Sequence, residues 1–255
     1  MKRLSLSMVI PTYNRKDAML RTLKELEPLM EGCEIIVVSD STDGTDEAVK
    51  TAYPRVRMIQ NPKRRGLMSC LNEGMIAAKN TTILPFADDL HLIGPPLDFV
   101  HELLLNVARN GSMIGVHVVD KVSPRFNHKR LAKFLWQIAG QPFGETGERS
   151  GYADFTASFA FDKERIPLLY DESFVGGFHA ETDFQLRAKA MGNKLYYDAN
   201  LAVTHDESGL DKDYRDQTAR LAAHKYLMKK HFPRSWFIKH AFFRLYLLLV
   251  RFSHS

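Results

Sequence analysis

The chain has 255 residues, 45% apolar and 25% charged, the balance of an ordinary globular protein with enough length for one large α/β domain or two small ones. Two cysteines, Cys33 and Cys70, exclude a disulfide framework, and no apolar stretch is long enough to span a bilayer. The net charge of +5 is uneven: Gln217 to Ser255 holds eight Lys or Arg and no Asp or Glu, so the first 216 residues carry 27 basic against 30 acidic side chains.

That asymmetry points to an anionic partner for the tail, a membrane surface or nucleic acid. The opening apolar run Leu4–Ile10 is too short for a signal core and stops at Pro11, so a reducing cytoplasm is the expected compartment.

In chain order, Leu6–Ile10 reads as a strand ending at Pro11-Thr12-Tyr13-Asn14, and Asp17–Met30 follows with helical spacing of Met19, Leu20, Leu23 and Leu26. Glu34–Val38 is a β-branched strand that runs into Ser39-Asp40-Ser41-Thr42-Asp43-Gly44-Thr45. Val56–Ile59 is a short strand, Leu71–Ala78 a helix, and Thr81–Phe86 a strand running into Asp88-Asp89. Such alternation predicts a parallel sheet with right-handed crossovers, whose ligands sit at the carboxyl ends of the strands. The clusters at Thr12–Asn14, Asp40–Thr45 and Asp88–Asp89 all fall on that edge.

The second half is less regular. Lys129–Ala139 has the spacing of a basic amphipathic helix, and Gly140–Ala157 that of a Gly-rich loop over the site. Thr182–Met191 is a helix stopped by Gly192, Leu201–Thr204 a strand, and the last forty residues are helical apart from a break near Pro233.

Two adjacent carboxylates at a strand's carboxyl edge, Asp88 and Asp89, suit a hydrated metal–diphosphate, because Mg²⁺ and Mn²⁺ favour carboxylate and phosphate oxygens; taken alone the pair also reads as a turn or helix cap. Asp40 can accept the N–H of a pyrimidine or guanine ring, while Asp43-Gly44 is turn chemistry. Arg65 of Arg65-Gly66 can reach a phosphate or ribose; Lys63 and Arg64 read as a solvated loop. Residues two apart on a helix point about 200° apart, so Glu181 and Asp183 cannot face one site. Glu181 shares the apolar face with Phe184 and Ala188 and is the candidate base. Asp183, four before Arg187, reads as half of a surface ion pair. His205, after a strand, is either a packing residue or a metal ligand.

These segments together resemble family 2 glycosyltransferases, over about residues 4–206. The resemblance rests on SMVIPTYNR (7–15), EIIVVSDSTDGT (34–45), residues 61–74, FADD (86–89), Asp171-Glu172-Ser173-Phe174, ETDFQLRAKAMG (181–192) and His205. It implies an α/β GT-A nucleotide-sugar-binding fold with a mostly parallel central sheet flanked by helices. The catalytic domain would span 1–212, with a nucleotide-binding half to about 98 and an acceptor-binding half from 99, and 213–255 would be an amphipathic helical extension.

The resemblance further implies inverting transfer of a hexosyl or N-acetylhexosaminyl group from a UDP- or GDP-linked sugar, with Mn²⁺ or Mg²⁺ as cofactor. Pro11, Thr12, Tyr13, Asn14, Asp40, Arg65 and Asp88 would contact the nucleotide, Asp89 and His205 the metal, and Glu181 would be the base. Three departures stand out: the first acid of the metal motif is Ala87, the turn after Asp40 is one residue shorter than usual, and the usual Glu-Asp pair is Ala180-Glu181. A nucleotidyltransferase and a catalytically silent nucleotide-sugar-binding protein are the rival readings. The first would want a Gly-rich, Lys-bearing loop that Pro11–Arg15 is not, and a dehydrogenase would need a GxGxxG after the first strand.

In the tail, His240, Arg244 and Arg251 fall within about 40° on a helical wheel. That narrow stripe on an apolar surface predicts a helix lying on an anionic membrane surface, the protein being peripheral on the cytoplasmic face. The expected acceptor is then a glycan, lipid-linked or otherwise membrane-associated, with nucleic acid not among the partners and the oligomeric state open.

Overall fold

The computed structural model describes residues 5–110, 113–119, 147–149, 158–205, 217–238, 240, 241 and 244. The elements are β1 Leu6–Thr12, α1 Lys16–Leu26, β2 Glu34–Ser39, α2 Thr45–Ala52, β3 Arg57–Gln60, α3 Leu67–Ala77, β4 Thr82–Pro85, β5 Leu90–Leu92 and α4 Pro96–Asn110. They continue with β6 Met113–Val119, β7 Gly147–Arg149, β8 Phe159–Asp162, α5 Ala180–Ala190, β9 Leu195–His205 and α6 Gln217–His231.

One sheet runs β3-β2-β1-β4-β8-β6-β9-β5, with β7 on β9. Its first four strands are parallel, as the strand–helix alternation predicts, with Ser7 opposite Glu34 and Leu6 opposite Thr82. The second half adds antiparallel pairings of β8 with β4 and β6, and of β5 and β7 with β9. Every residue of β1 is buried, the pattern of a strand covered on both faces. Alternation then sorts neighbours to opposite layers. Val9, Val38 and Ile83 pack with α3, α5 and α6, whereas Met8, Ile10, Val37 and Leu84 pack with α1, α2 and α4. At Gly74 an added Cβ would collide with Val9 Cγ1, so α3 lies with its backbone directly on β1.

Several boundaries differ from the sequence reading. Helix α3 begins four residues earlier than Leu71, because the Asp40 carboxylate accepts the backbone N–H groups of Arg65 and Gly66 just before its first turn. Strand β9 extends far upstream of Leu201; a register shift opposite Val116 and His117 carries it past Asp198, which is buried and accepts Asn106 Nδ2 at 2.9 Å. Asp183 is fully buried and not on the surface. Its partners are Arg187 Nε at 2.7 Å and, from α6, Lys230 Nζ at 2.7 Å and His231 Nε2 at 2.8 Å. Helix α6 also sets Ala223, Leu227 and Met228 into the core. The predicted helix Lys129–Ala139 and the tail beyond Arg244 lie outside the described residues, as does the loop Gly140–Ala157 except β7. No helix among the described residues is long and apolar enough to cross a membrane.

Candidate active site

The carboxyl ends of β1, β2 and β4 lie side by side, because those strands are adjacent and parallel. Thr12 closes β1, Asp40 follows β2, and Asp88-Asp89 follow β4. His205 closes β9 and pairs in register with Leu90, which brings its ring beside Asp89.

The acid pair is buried, each residue 5% exposed. Thr12 Oγ1 donates to Asp88 Oδ2 at 2.8 Å, and Thr22 Oγ1 donates to the Asp88 carbonyl at 2.9 Å. The Arg15 guanidinium bridges the pair through one nitrogen, 3.0 Å from Asp88 Oδ1 and 2.9 Å from Asp89 Oδ2. Burial, reinforced by the Asp89 charge, pushes the Asp88 carboxyl up to about 6 against the opposing pull of Arg15. Burial also works against ionised Asp89, but His205 and Arg15 outweigh it and hold that carboxyl below its ordinary value.

Asp40 belongs to a second network. Its Oδ2 accepts from Arg65 N and Gly66 N, both at 2.8 Å, and its Oδ1 accepts from Asn61 Nδ2 at 3.0 Å. Burial opposes its ionisation, yet these bonds keep its carboxyl below the ordinary value. The carboxylate thus fastens the loop from Asn61 to Gly66 against the β2 edge. The Arg65 side chain reaches out to Glu73 at 2.9 Å. Arg64, read from sequence as a solvated residue, lies over the half-exposed Tyr13 ring at 4.2 Å. Asn14 takes a left-handed φ of 51° and ties the first loop to the second: its N–H donates to Ser41 Oγ, and its Oδ1 accepts from Thr42 N.

Glu181 comes from a third element, the first turn of α5, and is half-buried. The Tyr170 hydroxyl is held well above its ordinary value, by burial first and by the Glu181 charge second. So the structure joins Thr12, Arg15, Asp88, Asp89 and His205 in one cluster, gives Asp40 a separate set of partners, and carries Glu181 on the helix that Asp183 fastens. Sequence reasoning missed Arg15, Thr22 and Asn61. Arg15 and Asn61 both lie in the segments that carry the family resemblance, but only as letters of a pattern.

Among the described residues no group of three or more His, Cys, Asp or Glu side chains is gathered so as to hold a metal ion alone. The acid pair nevertheless fits one. Asp89 Oδ1 is buried without a hydrogen-bond partner and stands 3.3 Å from His205 Nε2, outside hydrogen-bonding geometry. Two ligands about 2.1 Å from one octahedral ion stand about 3.0 Å apart, so this oxygen and this nitrogen suit adjacent positions on a Mn²⁺ or Mg²⁺.

Among solved structures the chain is similar to the mannosyltransferase PcManGT from Pyrobaculum calidifontis, in complex with GDP-Man and Mn²⁺. Identity is 17% and the TM-score 0.62, over 92% of this chain and 65% of that one. It is likewise similar to S. aureus TarS 1-349 in complex with UDP-GlcNAc, at 16% identity and a TM-score of 0.62, over 89% of this chain and 65% of that one. It spans 39% of a longer TarS chain. At these identities the likeness is one of fold, and the chain spans less than two thirds of each. No curated protein matches it in sequence. Residues 7–163, more than half of the chain, match the model described as glycosyl transferase family 2. That stretch contains the strand ends bearing Thr12, Arg15, Asp40, Asp88 and Asp89, and the chain belongs to glycosyl transferase family 2, with a GT-A fold.

Proposed function

We propose that the protein transfers a sugar from a nucleoside diphosphate, UDP or GDP, to an acceptor hydroxyl with inversion. The observation that carries this is Asp89 Oδ1, buried without a hydrogen bond 3.3 Å from His205 Nε2, at the strand edge where an α/β sheet binds its ligands. Asp89 and His205 would hold a divalent cation, which would supply charge to stabilise the departing diphosphate. Thr12 and Arg15 orient the acid pair, and Pro11, Tyr13, Asn14, Asp40, Arg65 and Asp88 line the nucleotide side. Tyr13 offers a ring face to the base, and Asp40 acts chiefly through the Asn61–Gly66 loop that it holds. Glu181 is the base: its carboxylate takes the acceptor proton as the acceptor oxygen bonds to the anomeric carbon and the diphosphate leaves with the old bond's electrons.

The basic tail favours a lipid-linked glycan as acceptor. Phe237 and Ile238 are 57% and 49% exposed, and Lys225 and Lys229 crowd the neighbouring Trp236 ring at 5.9 and 5.0 Å. Aromatic and aliphatic side chains amid cations suit a membrane interface. The test of the core reading is thermal unfolding with UDP, GDP and ATP, each with and without Mn²⁺, followed by assay of UDP- and GDP-sugars for slow hydrolysis. A raised midpoint with UDP or GDP plus Mn²⁺, and release of free sugar, are expected. A shift with ATP alone would favour a nucleotidyltransferase, and a shift without any hydrolysis a silent binding protein.

A further inference from the structure

We infer that Arg15 is a built-in counter-cation of the Asp88–Asp89 pair, suppressing uptake of a divalent cation until a diphosphate arrives with it. The inference rests on the nucleotide-diphosphate reading above. Three observations carry it.

The same Arg15 nitrogen lies 3.0 Å from Asp88 Oδ1 and 2.9 Å from Asp89 Oδ2, so one positive charge is shared between both acids. Ala87 stands where the family motif has its first acid, so that position adds no carboxylate to the pair. Of the four oxygens of the pair, Asp88 Oδ2 is taken by Thr12, Asp88 Oδ1 and Asp89 Oδ2 by Arg15, and only Asp89 Oδ1 lacks a hydrogen bond. Among the described residues, a divalent cation meeting this site alone therefore finds one acid oxygen without a hydrogen bond, beside the His205 imidazole and with a guanidinium as near neighbour.

A diphosphate changes that balance. It brings negative charge for the ion, and its oxygens suit the planar fork of an arginine, which binds phosphate through paired charge-assisted hydrogen bonds. The Arg15 side chain keeps 24% of its surface exposed, so it can meet an incoming anion while anchored on the acids. Arg15 is in this sense a positioning residue: it sets the order in which charge enters the site.

The test is Mn²⁺ binding, read by the loss of the free-ion paramagnetic resonance signal, for the wild-type chain, Arg15→Gln and Arg15→Lys. Each is titrated with Mn²⁺ alone and with Mn²⁺ plus UDP or GDP, and thermal midpoints are recorded in parallel. The wild type should bind Mn²⁺ at least about tenfold more tightly with a nucleotide than without. Arg15→Gln should bind Mn²⁺ alone about tenfold more tightly than the wild type, and its gain from nucleotide should shrink, while Arg15→Lys should follow the wild type. A purely structural Arg15 would lower the midpoint without raising affinity for the bare ion. Arg15→Gln binding Mn²⁺ alone no more tightly than the wild type overturns the inference. If Arg15→Gln gains affinity for the bare ion but neither nucleotide improves Mn²⁺ uptake by the wild type, the suppression stands and the nucleotide-sugar reading falls.

Discussion

Asp183 Oδ1 and Lys230 Nζ stand 2.7 Å apart, joining the first turns of α5 to the end of α6 through a carboxylate with no exposed surface. Lys230 bonds Asp171 as well, at 2.6 Å, and His231 and Arg187 complete the set around Asp183. Glu181 sits two residues before Asp183, so this clasp fixes the stretch of helix that carries the candidate base.

The clasp predicts a stability effect with a pH signature. Although burial disfavours the charge, His231, Lys230 and Arg187 hold the Asp183 carboxyl below its ordinary value of 3.8. A depressed folded value means that the stabilisation is complete above about 3.8, the unfolded value, and is lost as pH falls through the folded one. Asp183→Asn should cost about 3 kcal/mol at pH 7, the low end for breaking a buried pair because Lys230 and Arg187 remain partly solvated. The gap between D183N and the wild type should narrow in strong acid. Urea midpoints at pH 7 and pH 3 measure both; a gap that does not change with pH would mean that packing, not charge, sets the cost.

Asp89→Ala removes the acid oxygen of the pair that has no hydrogen bond and takes from Arg15 one of the two acids it bridges. Transfer should fall by about a thousandfold or more, and Mn²⁺ should no longer raise affinity for UDP or GDP. Thr12→Val, which removes the hydroxyl on Asp88 at similar volume, should leave the Mn²⁺ effect in place and reduce it only severalfold. Unaltered turnover in Asp89→Ala would remove the metal role from this residue.

How much of this was legible beforehand follows chain distance. The strand ends at Thr12, Asp40 and Asp88 could be placed on one edge because β1, β2 and β4 announce themselves as short apolar runs broken by polar turns, and parallel order follows from the intervening helices. What each side chain touches was not legible. Asp40 finds its partners in Asn61, Arg65 and Gly66, and Arg15 finds its own in Asp88 and Asp89; no local spacing encodes such meetings. Asp183 looked like a surface residue because its helix shows only Arg187. Burial comes from α6, whose basic end reads in sequence as part of a tail and not as a lid on a carboxylate.

Glu181→Gln keeps the size of the side chain and removes its ability to accept a proton. Nucleotide and Mn²⁺ binding should match the wild type, while transfer falls by about a hundredfold or more and the thermal midpoint barely moves, since Glu181 is only half-buried. Donor hydrolysis by water should drop less than transfer if an ordered acceptor is what Glu181 deprotonates. Equal transfer in E181Q and wild type would move the base elsewhere; Asp183, enclosed by three cationic or imidazole partners, would be a poor replacement.

The last prediction concerns the surface that follows α6. His224 is buried in α6 and meets His240 ring to ring, Nδ1 to Nδ1 at 3.2 Å, which holds that part of the tail against the body. Phe237 and Ile238 remain outward, beside exposed Arg234, Lys225 and Lys229. Exposed apolar pairs in a cationic field suit anionic lipid, to which each nearby Lys or Arg adds about 1 kcal/mol of attraction. The full chain should therefore sediment with vesicles containing phosphatidylserine, less so as salt rises, and hardly at all with purely zwitterionic vesicles. Phe237→Glu combined with Ile238→Glu should abolish sedimentation without lowering the thermal midpoint, because neither side chain is in the core. It should leave transfer to a soluble acceptor analogue intact while reducing transfer to an acceptor presented in a bilayer. If the wild-type chain stays in the supernatant at low salt, the membrane surface and the lipid-linked acceptor inferred from it both lose their basis, and the exposed pair is better read as a contact for another protein.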